Sequence, residues 1–267
     1  MKINEKVKDS VEKALSIDGL KSERMTWRGE GTEYFTVTDK DNALYGIVRS
    51  RYFPVSHAQA IASVSEFIPD GEIVSVSGNG NFAVACFTIN LPRMYKLDGE
   101  EVKPQVHLWN SLDGTRKLGF SLGALQLVCK NGLRLFKAFV SIDVKHTQNV
   151  SGRFYGGASL LADVYATIEG EIAAAERLKS LPLTTQAGRA FFESLAKKKI
   201  LPQKIAEAAA SRYELPVFEN ERQQNMLGAL NSLTDILTRH NEERNTLRSF
   251  EQLDLAAEAF KEVLQTA

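Results

Sequence analysis

The sequence predicts an α+β fold, in which an antiparallel sheet with one or two packed helices is followed by a helical C-terminal region. Short segments rich in β-branched and aromatic residues, separated by turn-forming residues, fill much of the first 156 residues. From about residue 157 the chain becomes rich in Ala and Leu at helical spacing. We therefore predict two domains, residues 1–156 and 157–267, of which the second provides assembly or partner contacts.

The first elements are predicted from spacing and from capping residues. A short amphipathic helix is expected over residues 2–16, because apolar residues recur four apart at Ile3, Val7, Val11 and Leu15. Two strands are expected next, in residues 32–39 and 42–55, on either side of a polar turn. Ser56 is a good N-cap for a helix that runs to Phe67.

The central strands are predicted from alternation and from turn residues. The clearest hairpin covers residues 72–91, where two alternating runs flank the turn sequence SGNGN. A polar loop at 95–104 is followed by three further strands, in residues 105–111, 116–129 and 134–147. The connections are too short for crossover helices, so antiparallel pairing is expected.

The last part of the chain predicts helices alone. A helix from residue 157 should end before Pro182, and Thr184 or Thr185 should cap the next helix, which runs to Lys199. Pro202 opens another helix, which reaches Ser211. Two further amphipathic helices are expected in residues 219–240 and 245–266.

Composition excludes several classes of protein. No apolar run approaches the roughly 20 residues that cross a bilayer, and the charged N-terminus lacks the apolar core of a secretory signal. Two cysteines, Cys86 and Cys129, do not make a disulfide framework, so a cytoplasmic location with reduced thiols is expected. We expect no cofactor and no membrane contact.

Positive charge is concentrated in the middle of the chain. Residues 101–160 carry 8 Lys and Arg against 3 Asp and Glu, whereas the whole chain carries 33 of each. A basic segment in an otherwise acidic chain indicates an anionic partner. Solvated cations on the outer face of a sheet are the alternative interpretation.

The basic residues on or beside the central strands form the first candidate site. Cations that follow phosphates, with aromatic side chains among them, are what binding of single-stranded nucleic acid requires. Two candidates lie in the glycine-flanked sequence SGRFYGG, which predicts a mobile loop that orders on a ligand. The candidate nucleic-acid-binding residues are Arg116, Lys117, Lys130, Arg134, Lys137, Lys145, Arg153 and Tyr155.

A second, catalytic interpretation rests on three polar residues. Asp113, Asn131 and His146 would form an active centre if their turns met at one end of the sheet, with His146 beside the thiol of Cys129. Asp-Gly and Asn-Gly sequences also close hairpins, however, so the same residues have a purely structural explanation. Cys129 ends an apolar strand and behaves as a small buried hydrophobe there. Spacing does not require a metal site at His107, His146 and Cys129, and we expect none.

Four segments together resemble a known family. The sequences are YGIVRSRYFPV (45–55), NSLDG (110–114), VCKNGL (128–133) and KHT (145–147). In this order and rough spacing, over residues 45 to 153, they resemble the phage/plasmid-like proteins of domain of unknown function 932. One departure is Gln126, where members of the family often have an Arg.

The resemblance implies a mobile-element protein found among replication and recombination genes. At the level of fold it is also similar to phage single-strand annealing proteins, by analogy alone. The leading hypothesis is a non-enzymatic protein that binds single-stranded DNA and assists annealing, recombination or replication as a homo-oligomer. An enzyme acting on nucleic acid or nucleotides is the second hypothesis. The third is an interaction protein that binds a host or phage protein and blocks a host defence.

Overall fold

The computed structural model of this chain describes residues 1–97, 100–127, 134–135, 140–217, 222–241 and 260. The strands within these residues are β1 (Lys2–Ile3), β2 (Lys21–Trp27), β3 (Glu30–Thr38), β4 (Leu44–Arg49), β5 (Glu72–Gly78), β6 (Val84–Asn90), β7 (Tyr95–Leu97), β8 (Glu100–Ser111), β9 (Leu118–Leu127), β10 (Arg134–Leu135) and β11 (Val140–Val144). The α-helices in the same residues are α1 (Lys8–Leu15), α2 (His57–Ser65), α3 (Val150–Ala158), α4 (Val164–Lys179), α5 (Thr185–Lys197), α6 (Gln203–Glu214) and α7 (Met226–Asn241). The predicted α+β class is confirmed.

The chain divides into two compact units. The first unit contains Met1–Pro92, Gln105–Leu122 and Val140–Val164, and the second contains Arg93–Pro104, Gly123–Phe139 and Tyr165–Ala267. The division into domains at residues 156 and 157 stays a prediction.

The main sheet of the first unit has the strand order β1-β5-β6-β8-β9-β11. The pairs β5–β6, β6–β8 and β9–β11 are antiparallel, as the short connections predicted, whereas β1 lies parallel to β5. The predicted hairpin is confirmed by the pairing of β5 with β6, from Glu72 opposite Asn90 to Gly78 opposite Ala85.

Apolar side chains at alternate positions of the strands form the core of this unit. Phe87 and Ile89 on β6 are fully buried, as are Leu108 on β8 and Phe120 on β9. The ring of Phe120 meets that of Phe154 on α3 edge to face, with centroids 5.9 Å apart. Burial of such aromatic side chains fixes the register of the sheet beneath the helices.

A smaller sheet of β2, β3 and β4 precedes the main sheet in sequence. Arg28 and Gly29 join β2 to β3 with φ angles of 52° and 84°, the conformation that a two-residue hairpin turn favours. Val37 and Val48 are buried on one face of this sheet, whereas Ile47 on the other face is exposed. Within this sheet β4 is an edge strand.

Capping residues mark where the helices begin, and the first helix is shorter than predicted. Ser56 and Gln59 form a capping box at α2, so the predicted N-cap is confirmed. The helix expected over residues 2–16 is shorter, because Lys2–Ile3 pairs with β5 and a 3-10 turn follows at Glu5–Val7. Asn4 ends the strand, since its side chain accepts a hydrogen bond from the backbone N–H of Lys6 at 3.1 Å.

The predicted mobile loop SGRFYGG is wrong, because these residues belong to α3. Its glycines permit close packing. A Cβ at Gly152 would lie 2.4 Å from Asn149 Oδ1, and one at Gly157 would lie 2.8 Å from Ile142 Cγ2. Glycine is needed at these two positions because a Cβ would collide with the nearby atoms. The backbone conformation here does not itself require glycine.

The predicted polar loop at 95–104 is also wrong. In the second unit β7 pairs with the start of β8, with Tyr95 opposite Val102. Leu97 and Val102 are both buried, and burial of these two apolar side chains outweighs the polar residues around them. The helices α5 and α6 are confirmed, and Thr184 caps α5 through the backbone N–H of Ala187. The single helix expected from residue 157 is wrong, because α3 ends at Ala158 and a 3-10 turn at Ser159–Asp163 separates it from α4. The helix expected over residues 219–240 begins only at Met226.

Candidate nucleic-acid interface

A groove of about 370 Å³ opens on the first unit between three separate segments of the chain. They are the end of β4 with the residues after it, the loop between β8 and β9, and the loop after β11. Five of the lining side chains are cationic, and among the described residues that line the groove none is acidic. The lining residues are Val48, Arg49, Arg51, Tyr52, Gly114, Thr115, Arg116, Lys117, Lys145, His146 and Thr147.

The first wall is set by a close approach of β4 to the loop between β8 and β9. A Cβ at Gly46 would lie 2.4 Å from Asp113 Cα, so only glycine permits this contact. Gly114 has a φ of 74°, and a Cβ there would lie 3.1 Å from Val48 Cγ1. The two glycines thus bring Arg49 and Arg116 to the same groove.

Hydrogen bonds inside the loop fix the backbone that carries Arg116. Ser111 Oγ donates to Arg116 O at 2.9 Å and accepts from Arg116 N–H at 3.1 Å. Asp113 Oδ1 accepts from the backbone N–H and the hydroxyl of Thr115, at 2.9 and 2.6 Å. The carboxylate of Asp113 is therefore engaged in the turn.

The groove carries positive charge without full compensation. Among the described residues, no acidic group forms an ion pair with Arg49, Arg51, Arg116 or Lys145. Lys117 Nζ lies 3.4 Å from Asp143 Oδ2, with both side chains about half exposed. Four unpaired cations around one concave surface raise the local concentration of anions.

His146 and Tyr52 form part of the groove lining. Their rings stack with centroids 4.8 Å apart and an interplanar angle of 23°. Tyr52 donates its hydroxyl proton to Ser111 O at 2.6 Å, and burial raises the pKa of this phenol. His146 O accepts from Phe53 N–H at 3.0 Å, while His146 Nδ1 donates to Phe53 O at 3.2 Å. Two distant segments are tied together in this way.

The chemistry available to His146 is limited by burial. The residue is 6% exposed, and its Nε2 has less than 1 Å² of accessible surface and no partner among the described residues. Burial lowers the pKa of His146 to about 4, against the opposing effect of the Phe53 carbonyl. The imidazole is therefore neutral near pH 7, and its accepting nitrogen is closed to solvent.

A second buried histidine supports the segment that follows Tyr52. His57 Nε2 donates to Phe82 O at 2.8 Å, and His57 Nδ1 accepts from Asn110 Nδ2 at 3.0 Å. The same Asn110 amide donates to Val55 O at 2.8 Å. Burial lowers the pKa of His57 as well. Asn110 therefore holds the start of α2 against the sheet.

A second concavity lies next to the groove. It has a volume of about 620 Å³, and Tyr52 is common to its lining and that of the groove, so the two are neighbours. We call it the Phe53 cavity, after an aromatic side chain that is 52% exposed. Its lining residues are Asp18, Gly19, Leu20, Ser22, Tyr52, Phe53, Pro54, Ser56 and Gln59.

The structure brings three of the predicted cations together, Arg116, Lys117 and Lys145. Arg153 does not line the groove, but its Nη2 donates to Lys145 O at 3.1 Å and to Thr147 Oγ1 at 2.6 Å. Tyr155 does not line the groove. Its hydroxyl donates to Glu66 Oε1 at 2.7 Å, and its ring contacts Phe67.

Other predicted residues have no side-chain description. Lys130, Asn131 and Lys137 lie outside the described residues, as does Cys129. Arg134 is described as backbone only, in β10, where it pairs with Gln126. Their role in binding stays a prediction.

The alternative centre at Asp113, Asn131 and His146 also stays a prediction. Asp113 belongs to the turn beside Gly46, and His146 lines the groove. Within the described residues no three of the His, Cys, Asp and Glu side chains are grouped as a metal site would need.

Sequence reasoning missed Arg49, Arg51 and Tyr52. All three belong to the segment YGIVRSRYFPV, which lies within the strand predicted over residues 42–55. The strand ends at Arg49, so Arg51 and Tyr52 follow it, and the two arginines that flank Ser50 were the available signal. Nothing in the sequence indicates that this segment meets residues 116 and 145.

The family follows from a direct match. Residues 44–260 match the family described as Domain of unknown function (DUF932), which covers most of the 267 residues. The chain belongs to this family. No curated protein and no solved structure matches the chain. Among the described helices, none is long and apolar enough to cross a membrane.

Proposed function

We propose that this DUF932 protein binds single-stranded DNA through the basic groove, without chemistry of its own. The observation that carries the proposal is the convergence of five cations from three segments on one groove, four of them without an acidic partner among the described residues. Such a surface binds phosphates wherever they lie along a strand, and so binds with little sequence preference.

The geometry favours binding over catalysis. A general base must reach the proton that it abstracts, but His146 Nε2 is closed to solvent and Asp113 is engaged by Thr115. The described groove residues instead offer guanidinium and ammonium groups, which are phosphate ligands. Assistance to annealing, recombination or replication, a phage or plasmid origin, and assembly into a homo-oligomer belong to the same proposal.

A fluorescence-anisotropy titration with a labelled single-stranded oligonucleotide tests the proposal. If the four unpaired cations each neutralise one phosphate, affinity should fall about 50-fold as salt rises from about 50 to about 200 mM, since each contact contributes roughly −0.7 to the logarithmic slope. The triple variant Arg49→Gln, Arg116→Gln and Lys145→Gln should reduce that fall to about threefold.

The matched control removes charge elsewhere. Lys197 on α5 and Lys204 on α6 are exposed and line neither the groove nor the Phe53 cavity. The double variant Lys197→Gln and Lys204→Gln should keep the wild-type salt dependence. Absence of binding at low salt, or equal loss in the control and groove variants, would refute binding through this groove.

A further inference from the structure

We infer that the Phe53 cavity binds a nucleobase of the same strand whose phosphates lie in the basic groove. The inference rests on the proposed function and adds a second subsite to it. At about 620 Å³ the cavity has the size of sites that hold small molecules. Because Tyr52 lines both concavities, a strand bound in the groove lies close to the cavity.

The charge of the cavity lining favours a neutral group over a phosphate. Among the described residues that line it none is cationic, and the one carboxylate is that of Asp18. Asp18 Oδ1 lies 3.0 Å from Lys40 Nζ, so this charge is compensated by an ion pair. A phosphate would meet no cation in the lining, whereas an uncharged planar ring does not need one.

Phe53 provides an aromatic face for such a ring. The side chain is 52% exposed, which is unusual for phenylalanine. The backbone N–H and C=O of Phe53 are both hydrogen-bonded to His146, which holds this residue in place. A rigid backbone with an exposed ring is the arrangement on which bases stack in sequence-tolerant binding of single strands. Pro54 directly after it limits the backbone further.

Polar groups at the rim can meet the edge of a base. Gln59 Oε1 accepts from Ser56 N–H at 3.0 Å, which leaves the Gln59 amide donors without a described partner. Ser22 offers a hydroxyl from β2 that has no described hydrogen bond. A donor and a hydroxyl of this kind suit several bases, so the subsite should tolerate sequence changes.

The test compares an oligothymidine with an abasic oligomer of the same length, which keeps the phosphates and removes the bases. The wild-type protein should bind the oligothymidine about 5- to 100-fold more tightly, since one stacked base contributes on this scale. Phe53→Ala should lose most of this preference while binding the abasic oligomer as the wild type does. Phe53→Tyr keeps the ring and should keep the preference.

The control is Leu160→Ala, because Leu160 is 51% exposed and lines neither concavity. It should retain the wild-type preference. Equal binding of the two oligomers by the wild type, or an unchanged preference in Phe53→Ala, would overturn the base subsite while leaving the phosphate groove in place. If neither oligomer binds the wild-type protein, the proposed function itself is wrong.

Discussion

The two concavities beside Tyr52 differ in the forces that they can apply to a ligand. The groove presents Arg49, Arg51, Arg116 and Lys145 without described acidic partners. The Phe53 cavity presents an exposed aromatic ring and polar groups, and its one acidic residue is neutralised by Lys40. The groove therefore suits phosphates, and the cavity suits an uncharged ring.

Phosphate binding in the groove and base stacking in the cavity should therefore be separable by experiment. Binding in the groove releases counterions and must weaken as salt rises. Stacking in the cavity depends on contact area and desolvation, so its contribution should change little with salt. A variant that changes the salt slope without changing the preference for bases acts on the groove. A variant that changes the preference for bases without changing the salt slope acts on the Phe53 cavity.

The largest effect is expected where β4 forms the wall of the groove. Gly46→Ala places a methyl group 2.4 Å from Asp113 Cα, so the loop that carries Arg116 must move. We expect a loss of about 2 to 3 kcal/mol in the free energy of unfolding, as overpacking of this kind costs. Urea unfolding measures the loss, and anisotropy should show weaker binding to both oligomers.

Gly80→Ala is the matched control for this substitution. Gly80 lies in the turn between β5 and β6, has no positive φ, and has open space where its Cβ would be. Its unfolding free energy should change by less than about 0.5 kcal/mol. A stable Gly46→Ala protein with unaltered binding would show that the close approach to Asp113 does not shape the groove.

The next effect concerns pH and the histidine on the groove side. Burial lowers the pKa of His146 to about 4 in the folded protein, whereas the unfolded chain takes up this proton near 6.5. Between these values the unfolded state binds more protons, so stability is complete above about pH 6.5 and falls as the pH falls. The expected loss from about pH 7 to about pH 5 is on the order of 2 kcal/mol from His146.

Urea unfolding at the two pH values measures this loss in the wild type and in His146→Gln. The variant should be less stable at neutral pH but should show a pH-dependent loss smaller by about 2 kcal/mol. The loss that remains reports chiefly on His57, whose pKa burial also lowers. Equal losses in the two proteins would mean that folding does not lower the pKa of His146.

Local features of the fold could be predicted, because their causes lie within a few residues. The hairpin at residues 72–91 follows from alternation around a glycine-rich turn, and the start of α2 follows from Ser56 and Gln59. The same local rules fail at α3, where the glycines of SGRFYGG predict a mobile loop but the residues form a helix. Their close contacts with Asn149 and Ile142 depend on packing that the sequence does not display.

The groove could be predicted only in part. Arg116, Lys117 and Lys145 were predicted because they lie on or beside the central strands in a basic segment. Arg49 and Arg51 lie more than 60 residues before Arg116 in the sequence, and their approach depends on the contact between Gly46 and Asp113. Neither composition nor periodicity carries such long-range information.

A smaller effect is expected at Arg153, which positions the loop that carries Lys145. Its guanidinium donates to Lys145 O and Thr147 Oγ1, and an ammonium cannot reproduce this geometry. Arg153→Lys should therefore weaken binding about fivefold, which corresponds to roughly 1 kcal/mol for the lost hydrogen bonds, without altering the salt slope. If Arg153 instead contacts a phosphate, the lysine variant should bind normally and Arg153→Gln should lower the slope by about 0.7.

The smallest effect is a gain of affinity on the groove side. Asp143 Oδ2 lies 3.4 Å from Lys117 Nζ, while Asp143 Oδ1 accepts from Trp109 Nε1 at 3.1 Å. Asp143→Asn keeps an oxygen for Trp109 but removes the charge that compensates Lys117. We expect binding about two- to threefold tighter at low salt, with a slope steeper by up to about 0.7.

The control for this gain is Asp70→Asn, which makes the same change in net charge at an exposed residue that lines neither concavity. Its affinity should stay close to that of the wild type, since among the described residues Asp70 forms no ion pair with a cation of the groove. A similar gain in both variants would point to overall charge as the cause. A gain in Asp143→Asn alone, with an unchanged preference for bases, would show that Lys117 contacts phosphate in the basic groove.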